Sequence, residues 1–211
     1  MKKTTILLIT AMFTLATSAF AGGMVGVKYG TGDLDGTSKS YVAGGTTYAA
    51  QSGSKSNDFA ALFAEYNVME SPVSLGLEYV PFSADISLNG SMSGSSARVK
   101  DYTTVYALAM AELANIGIYA KVGYSMADIG TVKPNDGQTT INSNSKDLEG
   151  LMYGVGIQSS ELDKGIVVRA EYTFTDFDDV SVTTTSNGST SVKKTASGEL
   201  STMTVSLVKS F

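Results

Sequence analysis

The sequence predicts an all-β fold, an eight-stranded antiparallel transmembrane β-barrel preceded by a cleavable signal peptide. Three observations carry this. Apolar residues recur with period two in eight separate segments. The links between those segments alternate between short and long. The last segment, running into Phe211, puts Met203, Val205, Leu207 and Phe211 on one parity and Thr202, Thr204, Ser206 and Ser210 on the other. The mature chain has no apolar run approaching the ~18 residues of a spanning helix, and a helical 3.6 period is absent.

The first element is the targeting segment. Lys2-Lys3 is a charged start, Ile6 to Leu15 is mostly apolar, and Ala19-Phe20-Ala21 fits a small-residue cleavage site. Residues 1–21 are therefore a secretory signal peptide, and residues 22–211 form the barrel domain.

Strand one sets Val25, Val27 and Tyr29 against Gly26, Lys28 and Gly30. Strand two sets Ala60, Leu62, Ala64 and Tyr66 against Ala61, Phe63 and Glu65, with its second parity also apolar through Phe59 and Phe63. Strand three opposes Val73, Leu75, Leu77 and Tyr79 to Ser74, Gly76 and Glu78. In strand four the larger residues, Tyr102, Thr104, Tyr106, Leu108 and Met110, are read as the lipid face, against Thr103, Val105, Ala107 and Ala109. Strand five opposes Ile116, Ile118, Ala120, Val122 and Tyr124 to Gly117, Tyr119, Lys121 and Gly123. Strand six opposes Leu151, Tyr153, Val155 and Ile157 to Met152, Gly154 and Gly156. Strand seven opposes Ile166, Val168, Ala170, Tyr172 and Phe174 to Val167, Arg169, Glu171 and Thr173. With the terminal strand these make eight, each near the ~9–11 residues a tilted strand needs to cross a bilayer.

Short links fall at 67–72, 112–115 and 159–165. Long links rich in Gly, Ser, Thr, Asn and Asp fall at 32–58, 83–101, 127–147 and 176–198. Short turns on one side and long loops on the other are a membrane-barrel arrangement with both termini on the short-turn side. A soluble lipocalin-like barrel is the competing reading: it points the apolar parity inward and Lys28, Glu78, Lys121 and Glu171 outward. Period two does not separate the two readings. The loop asymmetry, the terminal Phe and the tyrosines favour the membrane barrel.

In that barrel Tyr29, Tyr79, Tyr102, Tyr124 and Phe174 are expected at the outer rim as an aromatic girdle, with Tyr66 and Phe211 at the inner rim. The dipeptides Glu65-Tyr66, Glu78-Tyr79 and Glu171-Tyr172 put a tyrosine toward lipid and a carboxylate toward the lumen. Lys28, Lys121 and Arg169 are the bases on the lumen parity. Three acids and three bases in a lumen just wide enough for side chains are expected to pair, because an unpaired charge there is costly. Gly26, Gly76, Gly117, Gly123, Gly154 and Gly156 on the same parity leave room for them. The expected result is a plugged core serving structure, with a functional gate as the alternative.

The whole mature chain resembles the small eight-stranded outer-membrane barrels: the outer membrane protein X and opacity-protein group, and the barrel half of outer membrane protein A. Leu75-Gly-Leu-Glu-Tyr79, Tyr153-Gly-Val-Gly-Ile157, Val168-Arg-Ala-Glu-Tyr-Thr-Phe174 and Phe211 carry the resemblance. It implies a Gram-negative outer-membrane location reached through the periplasm, and Phe211 as an assembly signal read by the barrel assembly machinery. It also implies a monomer surrounded by outer-membrane lipids, including lipopolysaccharide. Lys209 departs from the pattern, standing where a hydrophobic residue is usual. Roles implied for such barrels are adhesion, complement binding, envelope stabilisation or a very small channel.

Composition narrows the function. The chain has no His and no Cys, which removes His-based catalysis, most zinc sites and disulfides. No enzyme activity, cofactor or metal site is expected, although catalysis on carboxylates alone remains conceivable. Loss of Lys2 and Lys3 takes the formal charge from −5 to about −7, an acidic balance that argues against nucleic acid. Asp33-Leu-Asp35-Gly36 lacks the third acid and closing Glu of an EF-hand loop. Together with Asp176-Phe-Asp178-Asp179 it reads as solvated acids, the alternative being a divalent cation shared with lipopolysaccharide phosphates. Asn89-Gly-Ser91 and Asn187-Gly-Ser189 fit a glycosylation sequon of little meaning in a bacterial chain. The functional expectation is a structural or surface-interaction barrel acting through long polar extracellular loops toward an unidentified extracellular partner. The alternative is a porin-like small-solute or ion channel.

Overall fold

A computed structural model of the chain describes residues 22–43, 45–68, 71–81, 83–87, 96–133, 146–186 and 190–211. The expected signal peptide and both sequons lie outside them. The strands are β1 (Gly23–Ser38), β2 (Tyr41–Ala43), β3 (Thr46–Tyr48), β4 (Gln51–Asn67), β5 (Val73–Val80), β6 (Ala84–Ser87), β7 (Ser96–Leu113), β8 (Ile116–Lys133), β9 (Lys146–Ser159), β10 (Ile166–Ser186) and β11 (Thr190–Ser210). Their order around the sheet is β5-β4-β1-β11-β10-β9-β8-β7-β6, and β5 also pairs with β7. That extra pairing closes the ring. Strands β5 and β6 share β7 as partner and count as one wall position, interrupted around Pro81, which has no N–H to offer a ladder. Eight antiparallel wall positions result.

The terminal strands meet at the seam, β1 pairing with β11 from Met24↔Ser210 to Ser38↔Ala196. Phe211 extends it: its N–H donates to the Gly23 carbonyl at 3.0 Å, and the Gly22 N–H donates to the Phe211 carbonyl at 3.1 Å.

The face that points outward decides between the two barrel readings. Leu75, Leu77, Ile116, Ile118, Val122, Leu151, Val155, Ile157, Val168, Met203, Val205 and Leu207 are all exposed on the outer surface, while Lys28, Glu78, Lys121 and Glu171 are buried inside. Such a continuous apolar exterior fits a lipid environment, not water. Val25, opposite Lys209, shares the outward parity but is covered.

Two expectations need correction. Strand β7 is turned over: Thr104, Tyr106 and Leu108 are 2%, 3% and 1% exposed, whereas Val105 is 52% exposed. Tyr102 is therefore not in the girdle but inside the barrel. The cause is steric. Tyr106 lies between Gly76 of β5 and Gly123 of β8 in the register, and only the lumen side offers that space.

The long links are also not loops throughout. In 32–58, β1 continues to Ser38, β4 begins at Gln51, and β2 and β3 form a small hairpin with the Tyr41 and Tyr48 rings stacked 4.8 Å apart. In 176–198, β10 and β11 are 21 residues each and stay paired up to Ser186↔Thr190, with a bulge between Phe177 and Val180. Such strands are about twice the ~9–11 residues that span a bilayer, and the excess projects on the long-link side. Thr and Val, which supply much of these segments, suit extended backbone.

The projecting part is not a closed ring. Strand β4 pairs with β5 only from Leu62 to Asn67, and β9 meets β10 only as far up as Gly150↔Phe177. Among the described residues, the wall above those points continues as two sheets, β4-β1-β11-β10 and β6-β7-β8-β9.

Candidate functional site: the filled lumen and the outer rim

The lumen is built in tiers by side chains that alternate with the outward apolar set. At the lower tier, near the short turns, β10 supplies Arg169 and β4 supplies Glu65. Arg169 Nη1 donates to Glu65 Oε1 at 2.7 Å, Nε donates to Gln158 Oε1 at 2.6 Å, and Nη2 reaches Met24 Sδ at 3.2 Å. The Tyr106 hydroxyl donates to the same Glu65 oxygen at 2.8 Å.

The tier above is a closed ring of four charges from four strands. Lys28 Nζ donates to Glu78 at 2.7 Å and to Glu171 at 2.6 Å; Lys121 Nζ donates to Glu78 at 3.0 Å and to Glu171 at 3.2 Å. The Tyr119 hydroxyl adds a bond to Glu171 at 3.1 Å, and Lys121 lies 3.8 Å from the Tyr106 ring centroid. Each ammonium bridges both carboxylates, so charge is neutralised locally and the desolvation of each ion is offset by two partners. Glycine makes this packing possible at two places: a Cβ at Gly76 would overlap the Tyr106 ring, and one at Gly156 the Tyr119 ring.

The third tier is hydroxyls. Thr104 and Ser125 are 2.8 Å apart, Tyr102 OH donates to Ser125 at 3.0 Å and lies 3.4 Å from Thr175, and Thr173 and Thr202 are 2.6 Å apart. Among the described residues, two buried oxygens, Glu65 Oε2 and Thr204 Oγ1, have no hydrogen-bond partner.

All six lumen charges named from sequence are buried, in two separate groups. Counting residues up from the short turns puts Lys28, Glu78, Lys121 and Glu171 at similar heights, as the ring has them, but which base meets which acid was not legible. Sequence reasoning also missed Tyr106, Tyr119, Gln158 and the hydroxyl tier. The signal for the two tyrosines was available in the glycines that face them.

On the outside, three of the girdle tyrosines are each held by a carboxylate of the neighbouring strand. Tyr29 donates to Asp58 at 3.2 Å, Tyr79 to Asp101 at 3.2 Å and Tyr124 to Glu149 at 2.8 Å. Phe174 is half-buried against Tyr153, ring centroids 5.2 Å apart. Tyr66 is exposed at the opposite rim. Lys209 turns its ammonium to the Lys164 carbonyl and lies 5.3 Å from the Phe211 ring centroid, which accounts for a base at that position.

Two of the acids considered for a cation have other partners: Asp33 accepts from Ser56, and Asp179 pairs with Lys39. Among the described residues no group of three or more His, Cys, Asp or Glu is arranged to hold a metal.

A family model described as "Outer membrane protein beta-barrel domain" matches residues 4–198. Among solved structures, the outer membrane protein OprG from Pseudomonas aeruginosa is similar at 12% identity with a TM-score of 0.61, over 90% of this chain and 97% of its own. The outer membrane protease OmpT from Escherichia coli is similar at 11% identity with a TM-score of 0.52, over 92% of this chain and 99% of its own. At such identities these likenesses speak to the fold alone. No match is found among the curated proteins.

Proposed function

From the premise that the chain belongs to the outer membrane protein beta-barrel domain family, and so resides in the Gram-negative outer membrane, we propose that it is a non-conducting surface-display barrel. The spanning part is a rigid, filled cylinder, and the projecting polar hairpins meet a partner outside the cell. The observation that carries this reading is the lumen itself. Lys28, Glu78, Lys121, Glu171, Arg169 and Glu65 are all nearly inaccessible and ion-paired. We read a lumen so filled as closed to water.

The outer face supports contact with outer-membrane lipids, including lipopolysaccharide, through the carboxylate-held tyrosines at the headgroup level. We assign Phe211 the part of the handle read by the barrel assembly machinery, and the barrel acts as a monomer. Catalysis forms no part of the proposal, since the chain contains no His to serve as general base.

A small-solute or ion channel is the second reading, favoured by the run of polar tiers from Glu65 to Tyr102. Planar-bilayer recording of the purified protein separates the two: the display reading expects no steady conductance, and a large steady one would overturn it. A binding screen comparing the intact protein with a barrel lacking the β10–β11 hairpin tip then tests where partners bind.

A further inference from the structure

An apolar layer packs at each end of the charged tiers, the lower one beside the hydrogen-bonded pair of Ser74 and Asn67, 2.7 Å apart. Below them Val167 and Val208 are 2% and 0% exposed, pack with Phe63, and have Met24 against them. On the β7 side of the lumen Leu108, 1% exposed, packs with Tyr106 and has Met110 against its cluster. Val167 and Val208 each stand two residues from a polar lumen residue of the same strand, Arg169 on β10 and Ser206 on β11. Above the hydroxyls, Phe177 is buried and meets the Tyr102 ring edge-on, 6.5 Å between centroids. Beside it the Phe59 ring and the Leu200 side chain converge over β1: a Cβ at Gly32 would lie 3.6 Å from the first and 3.3 Å from the second.

We infer that these two apolar layers, and not the charged ring between them, are what closes the lumen to ions. The inference rests on the filled-lumen reading above and adds where its barrier lies. An ion entering the charged tier can exchange for a lysine or glutamate partner, because those side chains supply replacement ligands as water is shed. An apolar constriction supplies none and expels water. Neutralising the ring therefore leaves the pore shut, whereas opening the layers wets it.

The test uses the mature protein in planar bilayers, with folding verified by heat-modifiable gel mobility. A variant carrying Lys28→Met, Glu78→Gln, Lys121→Met and Glu171→Gln is expected to stay silent. A variant carrying Val167→Ser, Val208→Ser, Phe59→Ser and Phe177→Ser, with all charges kept, is expected to show discrete conductance steps. Because the chain has no Cys, a single Ser206→Cys between the layers provides a second readout if either multiple variant fails to fold. A charged methanethiosulfonate should modify it about a hundredfold more slowly than an exposed Thr31→Cys. The rate should rise when Val208→Ser is added, and stay low when Glu171→Gln is added. Conductance from the charge-neutralised variant, silence from the folded layer-opened variant, or fast labelling after Glu171→Gln would each overturn the inference while leaving a silent wild type intact. Wild-type conductance would remove the filled-lumen reading and the inference with it.

Discussion

Glu65 and Arg169 form a pair separated from the four-charge ring, which makes them the cleaner place to measure what a buried ion pair is worth here. Arg169→Met strands a carboxylate with only Tyr106 as donor, and should cost ~3–5 kcal/mol. Glu65→Gln combined with it should recover part of that loss, and urea titrations of the four proteins in detergent give the coupling. An absent coupling would mean that water already screens the pair. Thr204 provides the opposite case. Its hydroxyl is buried without a partner, so Thr204→Val is expected to be neutral or stabilising, while Thr173→Val breaks the bond to Thr202 and should cost ~1–3 kcal/mol. At this scale the sequence disclosed which residues are charged and on which parity, because alternation assigns a face. Counting from the short turns also puts Lys28, Glu78, Lys121 and Glu171 at similar heights, but which base meets which acid it did not disclose, since that depends on side-chain reach across the barrel.

Strand β7 shows why alternation alone misleads. Both of its parities read apolar, so alternation leaves the face open, and the sequence reading puts the larger residues toward lipid. Inside a barrel this narrow, bulk is instead wanted where neighbouring strands carry glycine, and Tyr106 meets Gly76 and Gly123 there. The corrected orientation predicts that Val105→Arg, placed in the hydrocarbon, costs ~2–4 kcal/mol and impairs assembly. The check is the fraction of folded, heat-modifiable protein on gels, and a Val105→Arg protein that folds like the wild type would restore the original parity. The projecting hairpins depart from the expected loops for a related reason. Ser, Gly and Thr in bulk look like loop, but Thr and Val along β10 hold a strand as far as Ser186. Replacing residues 180–196 by a two-residue turn removes only pairings above the bulge at Phe177. It should leave heat-modifiable folding unchanged, and a loss of folding would show that the stem supports the spanning barrel.

For the molecule as a whole, closure was legible from the eight alternating segments, and inside-out polarity from the loop asymmetry, the terminal Phe and the tyrosines, because alternation by itself fits a soluble barrel equally well. The extent of the barrel beyond the bilayer was not, since no lipid enforces a hydrophobic pattern there. Deleting Phe211 should lower the amount of protein in the outer membrane while detergent refolding persists, as read by membrane fractionation beside refolding yield. Unchanged membrane levels would remove its assembly role. The paired stems carry one more consequence, for immune recognition. Ala196 lies beside Ser38 as well as Val180, so a patch an antibody covers where β1 meets the β10–β11 stem joins segments far apart in sequence. Antisera raised against linear peptides from 176–198 should bind the intact cell poorly, and sera raised against the folded barrel should lose their target when it is boiled.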